Sequence, residues 1–160
     1  MTTAEFNDCV KEYADGMYRF ALKSSGNEED ARDIVQHAFT VLWENRESVD
    51  ITKAKSYLFT LVYRKSVDRF RTAGRQKLMD VLPEKGSEVI FQAGLKKSIE
   101  KALMNLSTES RNLVLLKDME GYSYDEIARL TGLSLSQVKV YLFRARKELQ
   151  KSLEIYKYHY

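Results

Sequence analysis

The stretch "GYSYDEIARLTGLSLSQVKVYLFRARKEL", Gly121 to Leu149, decides the reading of the fold. It holds two polar starts, Ser123-Tyr124-Asp125-Glu126 and Ser134-Leu135-Ser136-Gln137. In each, the serine oxygen is placed to accept a helix N–H, and the Glu or Gln three positions on reaches back to the serine N–H, a capping box. Leu130-Thr131-Gly132-Leu133 separates the two runs, and Gly132 suits the left-handed position just past a helix C-terminus. The pattern predicts a helix, a short turn and a second helix, with Ile127 and Ala128 facing Val138 and Leu142. Ala128 is small and lets the two helices approach closely. This is a helix-turn-helix, whose second helix suits a DNA major groove.

The charge is loaded on the second helix. Lys139, Arg144, Arg146, Lys147 and Lys151 follow its cap, against one acid, Glu148. Val138, Leu142, Ala145 and Leu149 recur every three or four residues and mark the core face. That leaves Ser136, Gln137, Lys139, Tyr141 and Arg144 near the exposed side. Gln pairs bidentately with adenine, and Arg or Lys with guanine. The remaining cations suit phosphates, which set register without reading sequence. The competing reading of these features is a basic helical hairpin in an ordinary bundle.

The rest of the chain is helical by the same criteria, so the fold class is all-α. Phe6, Val10, Tyr13, Met17, Phe20 and Ala21 mark one amphipathic helix. Asn27 caps the next, with Glu28, Glu29 and Asp30 at its positive end. It runs to about Arg46 and turns Ile34, Val35, Ala38, Phe39, Leu42 and Trp43 inward. A third, about Lys53 to Thr72, carries Tyr57, Leu58, Leu61, Val62 and Val67. Beyond Ala73 the pattern decays through the only proline, Pro83, and three of the seven glycines. A structureless stretch this long is uncommon inside one compact domain. Two small helical domains are therefore expected, 1–73 and 98–160, joined by a flexible linker over 74–97. The second begins with a helix facing Leu95, Ile99, Ala102, Leu103 and Leu106 inward. Ser107 caps the next helix, which buries Leu113, Val114, Leu116 and Met119.

Totals narrow the function. The 160 residues carry a formal charge of only +3. Residues 1–50 hold 11 Asp/Glu and 5 Lys/Arg, and residues 51–160 hold 12 and 21. An acidic front and a basic rear suggest two different partners, one of them a polyanion. The single Cys9 excludes an internal disulfide. Apolar runs such as Leu113 to Leu116 are too short to cross a bilayer, and the N-terminus lacks the pattern of a signal peptide. A cytoplasmic protein without membrane insertion is expected.

A second basic zone, "KAKSYLFTLVYRKSVDRFRTAGRQK", runs from Lys53 to Lys77 with eight Lys/Arg and one acid, Asp68. Tyr57, Phe59, Tyr63 and Phe70 lie among the cations. Cations with aromatic faces suit single-stranded or opened nucleic acid, although each aromatic taken singly reads as core. Glu29, Asp33 and His37 share one helix face at i, i+4 and i+8. No second cluster completes a metal site, so a helical metal enzyme is disfavoured and the acidic helix reads as a docking surface for a basic protein.

Three stretches in order carry a family resemblance over nearly the whole chain. "DARDIVQHAFTVLWENRESVD" resembles the polymerase-docking region of bacterial sigma factors. "SYLFTLVYRKSVDRFR" is similar to their promoter −10 region, and the opening stretch to their −35-reading helix-turn-helix. Two domains and a bare linker match the extracytoplasmic-function (ECF) subgroup of the sigma-70 family. The resemblance implies a transcription initiation factor, without cofactor or catalytic activity, whose partners are core RNA polymerase and promoter DNA. An anti-sigma factor is a further candidate partner. It places Asp33, Gln36, Phe39, Leu42 and Trp43 on the clamp helices of the largest polymerase subunit. The loop from Glu47 to Lys55 would capture a flipped −10 base. Lys53, Lys55, Tyr63, Arg64, Lys65, Arg69 and Arg71 would lie near −10 DNA, and Ser136, Gln137, Lys139, Tyr141 and Arg144 would face the −35 element. The sequence departs from the family in three places. His37 stands where an acid is usual. Ser107 replaces a common proline. Val140, Tyr141 and Phe143 replace more polar residues. The alternative is a stand-alone helix-turn-helix regulator that binds DNA as a dimer.

Overall fold

A computed structural model describes residues 1–80 and 91–157, with side chains over 1–68 and 94–153. Local signals set the helix ends. Thr2 caps α1 (Thr3–Ser25), and Gly26, at φ 70°, closes it by donating to the Leu22 carbonyl at 2.8 Å. Only a glycine takes that left-handed position without cost. Asn27 caps α2 (Glu28–Glu44) by accepting the Asp30 N–H at 3.1 Å. A single 3₁₀ turn, Ile51–Lys53, then leads into α3 (Ala54–Asp80). Met17, Phe20, Ile34, Ala38, Leu42, Leu58 and Val62 are buried between the three helices.

The C-terminal half comprises α4 (Phe91–Asn105), α5 (Thr108–Val114), α6 (Tyr124–Thr131) and α7 (Leu135–Lys157). A π-helical turn, Leu115–Met119, extends α5. The described residues contain helices and turns and no strand, as the periodicity predicts. Helix enters both ends of the stretch read as a linker, because α3 continues to Asp80 and α4 begins at Phe91. The centre of that linker, 81–90, lies outside the described residues.

The two halves share one core, which runs without a break from Met17 to Ala145. Phe20 meets Phe59 edge-on at 5.5 Å between centroids, and Phe59 meets Tyr122 of the other half at 5.7 Å. Arg111 is also buried, 1% exposed. Its guanidinium donates to the carbonyls of Leu103, Met104 and Leu106 at 2.9–3.3 Å and to that of Ser24. Met104 and Leu103 belong to the last turn of α4, and Ser24 to the last turn of α1. Helix C-termini present carbonyls without intrahelical partners and a partial negative charge. One cation thus neutralises two helix ends from different halves. Burial lowers its pKa to about 10, which leaves it charged at neutral pH. Ser24 also donates its hydroxyl to Asn112, the residue after Arg111.

Four residues read as core are exposed, Trp43 near the end of α2 among them. Met119 is 52% exposed because it lies on the π turn, where an extra residue rotates the following side chains off the 3.6 period. Leu95 and Ile99 are 55% and 41% exposed, and the packed face of α4 starts only at Ala102 and Leu103.

Replacing Arg111 by alanine leaves several buried carbonyls without a donor. Urea unfolding is expected to show a loss of roughly 3 kcal/mol. Arg111→Lys recovers only part of it, because one ammonium cannot fork to both helix ends.

Candidate nucleic-acid interface

Both predicted capping boxes are formed. Ser123 Oγ accepts the Glu126 N–H at 3.1 Å, and the Ser123 N–H donates to Glu126 Oε1 at 3.2 Å. These bonds hold the Glu126 carboxyl below the usual range. Their contribution is present above the ordinary carboxylate pKa and is lost as pH falls through the lowered value. Gly132, at φ 80°, ends α6 by donating to the Ala128 carbonyl at 2.9 Å. Ser134 Oγ then accepts the Gln137 N–H at 3.1 Å, while the Ser134 N–H donates to Gln137 Oε1 at 3.0 Å. This fixes the start of α7. Ile127, Leu130, Val138, Leu142 and Ala145 are buried behind it.

Ser136, Gln137, Lys139 and Arg144 are exposed on α7, and Tyr141 is half-buried against the core. Gln137 is already engaged. Adenine pairing uses both its amide oxygen and nitrogen, so it would have to release the Ser134 N–H.

The sequence reading missed a cluster beside this helix. Arg146 donates to both carboxylate oxygens of Asp118, at 2.7 and 3.3 Å, which raises the pKa of the guanidinium. Lys117 Nζ lies 4.6 Å from the centroid of the Tyr124 ring, and Lys139 Nζ lies 5.9 Å from it. A lysine and an aspartate within an apolar-periodic helix gave no signal, because the π turn that brings Lys117 to α6 and Asp118 to α7 has no sequence signature.

In the second basic zone, Lys53, Lys55 and Arg64 are exposed and Lys65 is half-buried, whereas Tyr63 is buried. The side chains of Arg69 and Arg71 lie outside the described residues. Asp50 orders the preceding loop by accepting from the N–H and hydroxyl of Thr52 at 2.9 and 3.0 Å, which lowers its pKa. Lys55 Nζ reaches over the ring of Tyr122, 5.6 Å away. This zone and the C-terminal half therefore touch.

On α2, Asp33 and Gln36 are exposed and Phe39 is half-buried. Leu42 is fully buried and could serve a docking face only from within, by fixing the helix. Trp43, read as core, is 37% exposed. Its ring lies between the Phe6 ring, 4.9 Å away, and the Arg46 guanidinium, 3.9 Å away. Among the described residues no group of three or more His, Cys, Asp or Glu is placed to hold a metal. No helix there is long and apolar enough to cross a membrane.

Comparison with known families matches residues 9–76 to Sigma-70 region 2 and residues 96–149 to Sigma-70, region 4. The ECF RNA polymerase sigma factor SigM of Mycobacterium tuberculosis is 30% identical, over 92% of this chain and 76% of its own. The chain belongs to the ECF sigma factors of the sigma-70 family. This ECF chain is also 28% identical to SigE of Mycolicibacterium smegmatis, over 92% of its length, but spans only 61% of that relative. The fold is similar to that of the sigma factor RpoE of Bartonella quintana, solved with the anti-sigma factor NepR. The TM-score is 0.73 at 25% identity, covering 94% of this chain and 97% of that one. The family is one of promoter-recognising transcription initiation factors. In its terms α1 to α3 form region 2, and α4 to α7 form region 4.

Asp118 lies beside α7 and occupies one of its cations, Arg146. Asp118→Asn is expected to tighten non-specific duplex binding. The slope of log K against log salt should steepen by about one unit as Arg146 becomes available to phosphate. Fluorescence anisotropy over a salt series reads this directly.

Proposed function

We propose that this sigma factor docks on core RNA polymerase through the acidic face of α2, centred on Asp33, Gln36, Phe39 and Trp43. The −10 element is opened and read by α3 and the loop before it, through Lys53, Lys55, Arg64 and Lys65. The −35 element is read in the major groove by α7, through Ser136, Lys139 and Arg144, with Gln137 and Tyr141 at the flank. The observation that carries this reading is the doubly capped α6–turn–α7 unit with its cations on the exposed side. The exposed carboxylates of α2 supply the opposite charge on a different helix.

Tyr63 and Phe59 are buried in the closed arrangement of the two halves. Reading −10 bases with the aromatic side of α3 therefore requires regions 2 and 4 to part. RpoE was solved with the anti-sigma factor NepR, and CnrH, a second structural neighbour, with the cytosolic domain of CnrY. This chain is proposed to be held by a protein of the same class, in the cytoplasm, where core polymerase and chromosome meet.

Adding the purified chain to core polymerase and a promoter library should produce initiation at a defined set of start sites. No specific initiation, together with tight binding of a palindrome by the chain alone, would instead establish a dimeric stand-alone regulator. Arg144→Ala should cost about 1–3 kcal/mol at the −35 element and relax its preference if Arg144 contacts a base; a uniform loss across sequences would assign it to phosphate. Trp43→Ala should weaken polymerase association while circular dichroism remains helical.

A further inference from the structure

Lys23, in the last turn of α1, reaches across to the other half of the chain. Its ammonium donates to the Met119 thioether, with Nζ 3.6 Å from Sδ. A thioether is a weak acceptor, so this bond between region 2 and region 4 is weak. The π turn carries Met119 off the core face and leaves it 52% exposed. Beside it lies a cavity of about 170 Å³, lined by Arg19, Phe20 and Lys23 on one side and by Leu115, Met119 and Glu120 on the other. A small polar oxidant therefore has a path to Met119, whereas Met17 is wholly buried.

Methionine sulfur is oxidised to a polar sulfoxide, and dedicated reductases reverse the change. With hydrogen peroxide, the sulfur lone pair attacks one oxygen. The S–O bond forms as the O–O bond breaks. The proton of the attacked oxygen passes to the departing hydroxide, which leaves as water. Sulfur is oxidised and the peroxide is reduced. At Met119 the product meets a donor already in place. Because Nζ stands 3.6 Å from the sulfur, an oxygen bonded to the near side of Sδ falls within ordinary N–H···O reach. A hydrogen bond from an ionised donor to oxygen is much stronger than one from the same donor to a thioether. Met104 is the contrast. It is 41% exposed, but its sulfur and methyl stand against Gly26, which has no side chain to donate.

Resting on the reading that regions 2 and 4 must part before −10 bases are read, we propose that Met119 is a peroxide-modified site whose sulfoxide takes the Lys23 ammonium and latches the two regions together. Oxidation by peroxide then lowers initiation, and reduction restores it.

The test uses the full chain, treated with hydrogen peroxide that is removed before core polymerase is added. Peptide mass spectrometry should find one added oxygen on Met119 at a dose that leaves Met17 reduced. The oxidised chain should melt about 2–4 °C higher, the shift of roughly one stronger hydrogen bond in a chain of this size. Holoenzyme assembled from it should initiate roughly fivefold less than holoenzyme from untreated chain. Methionine sulfoxide reductase should reverse both changes. Met119→Leu should initiate normally and lose both responses, while Met104→Leu keeps them. Lys23→Ala should still be oxidised at Met119 but gain nothing in melting temperature. Met119 left reduced at that dose, or a melting temperature that stays or falls on oxidation, overturns the latch and leaves the parting of the regions standing. So does a rise that survives Lys23→Ala, or a full peroxide response in Met119→Leu. A Lys23-dependent rise with undiminished initiation overturns the proposal together with the reading that the regions must part.

Discussion

A single guanidinium organises this molecule. Arg111 lies where the C-terminal ends of α1 and α4 converge, and both ends point carbonyls at the same buried spot. Two negative helix ends brought together without a cation would repel and leave their acceptors unsatisfied. With Arg111 between them they become the joint at which regions 2 and 4 meet. The Ser24–Asn112 hydrogen bond and the Phe20–Phe59–Tyr122 ring contacts surround it. The turn at Gly26 also belongs to this joint: a β-carbon there would stand 3.1 Å from the Met104 methyl. Hydrophobic contact covers the area, and the polar joint fixes the register.

The surfaces proposed for recognition are built differently. Around α7, order comes from short-range devices: two capping boxes, a left-handed glycine and a few buried aliphatic residues. The cations stay exposed, apart from Arg146, which is held by Asp118. On α2 the acids crowd the positive end of the helix, and Trp43 is braced by Phe6 and Arg46. Each surface is set by contacts within its own half of the chain, so each can be presented whatever the joint does.

That division explains what the sequence revealed. Caps, turns and the 3.6 period act within about four residues, so the helices and the helix-turn-helix were readable from spacing alone. Ser123, Gly132 and Ser134 act just as their positions imply. Arg111 was not readable. It sits in "STESRNLVLL" and looks like a surface residue, and its carbonyl partner in α1 is 87 residues away. Tyr63, which the resemblance placed near −10 DNA although taken singly it read as core, is buried. Met119 fell on the wrong side because the π turn breaks the period on which the reading relied. Val140 and Phe143 broke the expected polar pattern of α7, and the structure shows that they do so on its exposed face.

The shared core has a bearing on how the two halves behave when separated. Phe59 and Tyr122 cover each other, and Phe20 lies against the same stack. Cutting the polypeptide between α3 and α4 would leave each fragment with a freshly wetted aromatic patch and, in one of them, a guanidinium deprived of its Ser24 acceptor. Such pieces would tend to self-associate, and regions 2 and 4 of this chain are therefore better solubilised by each other than by water.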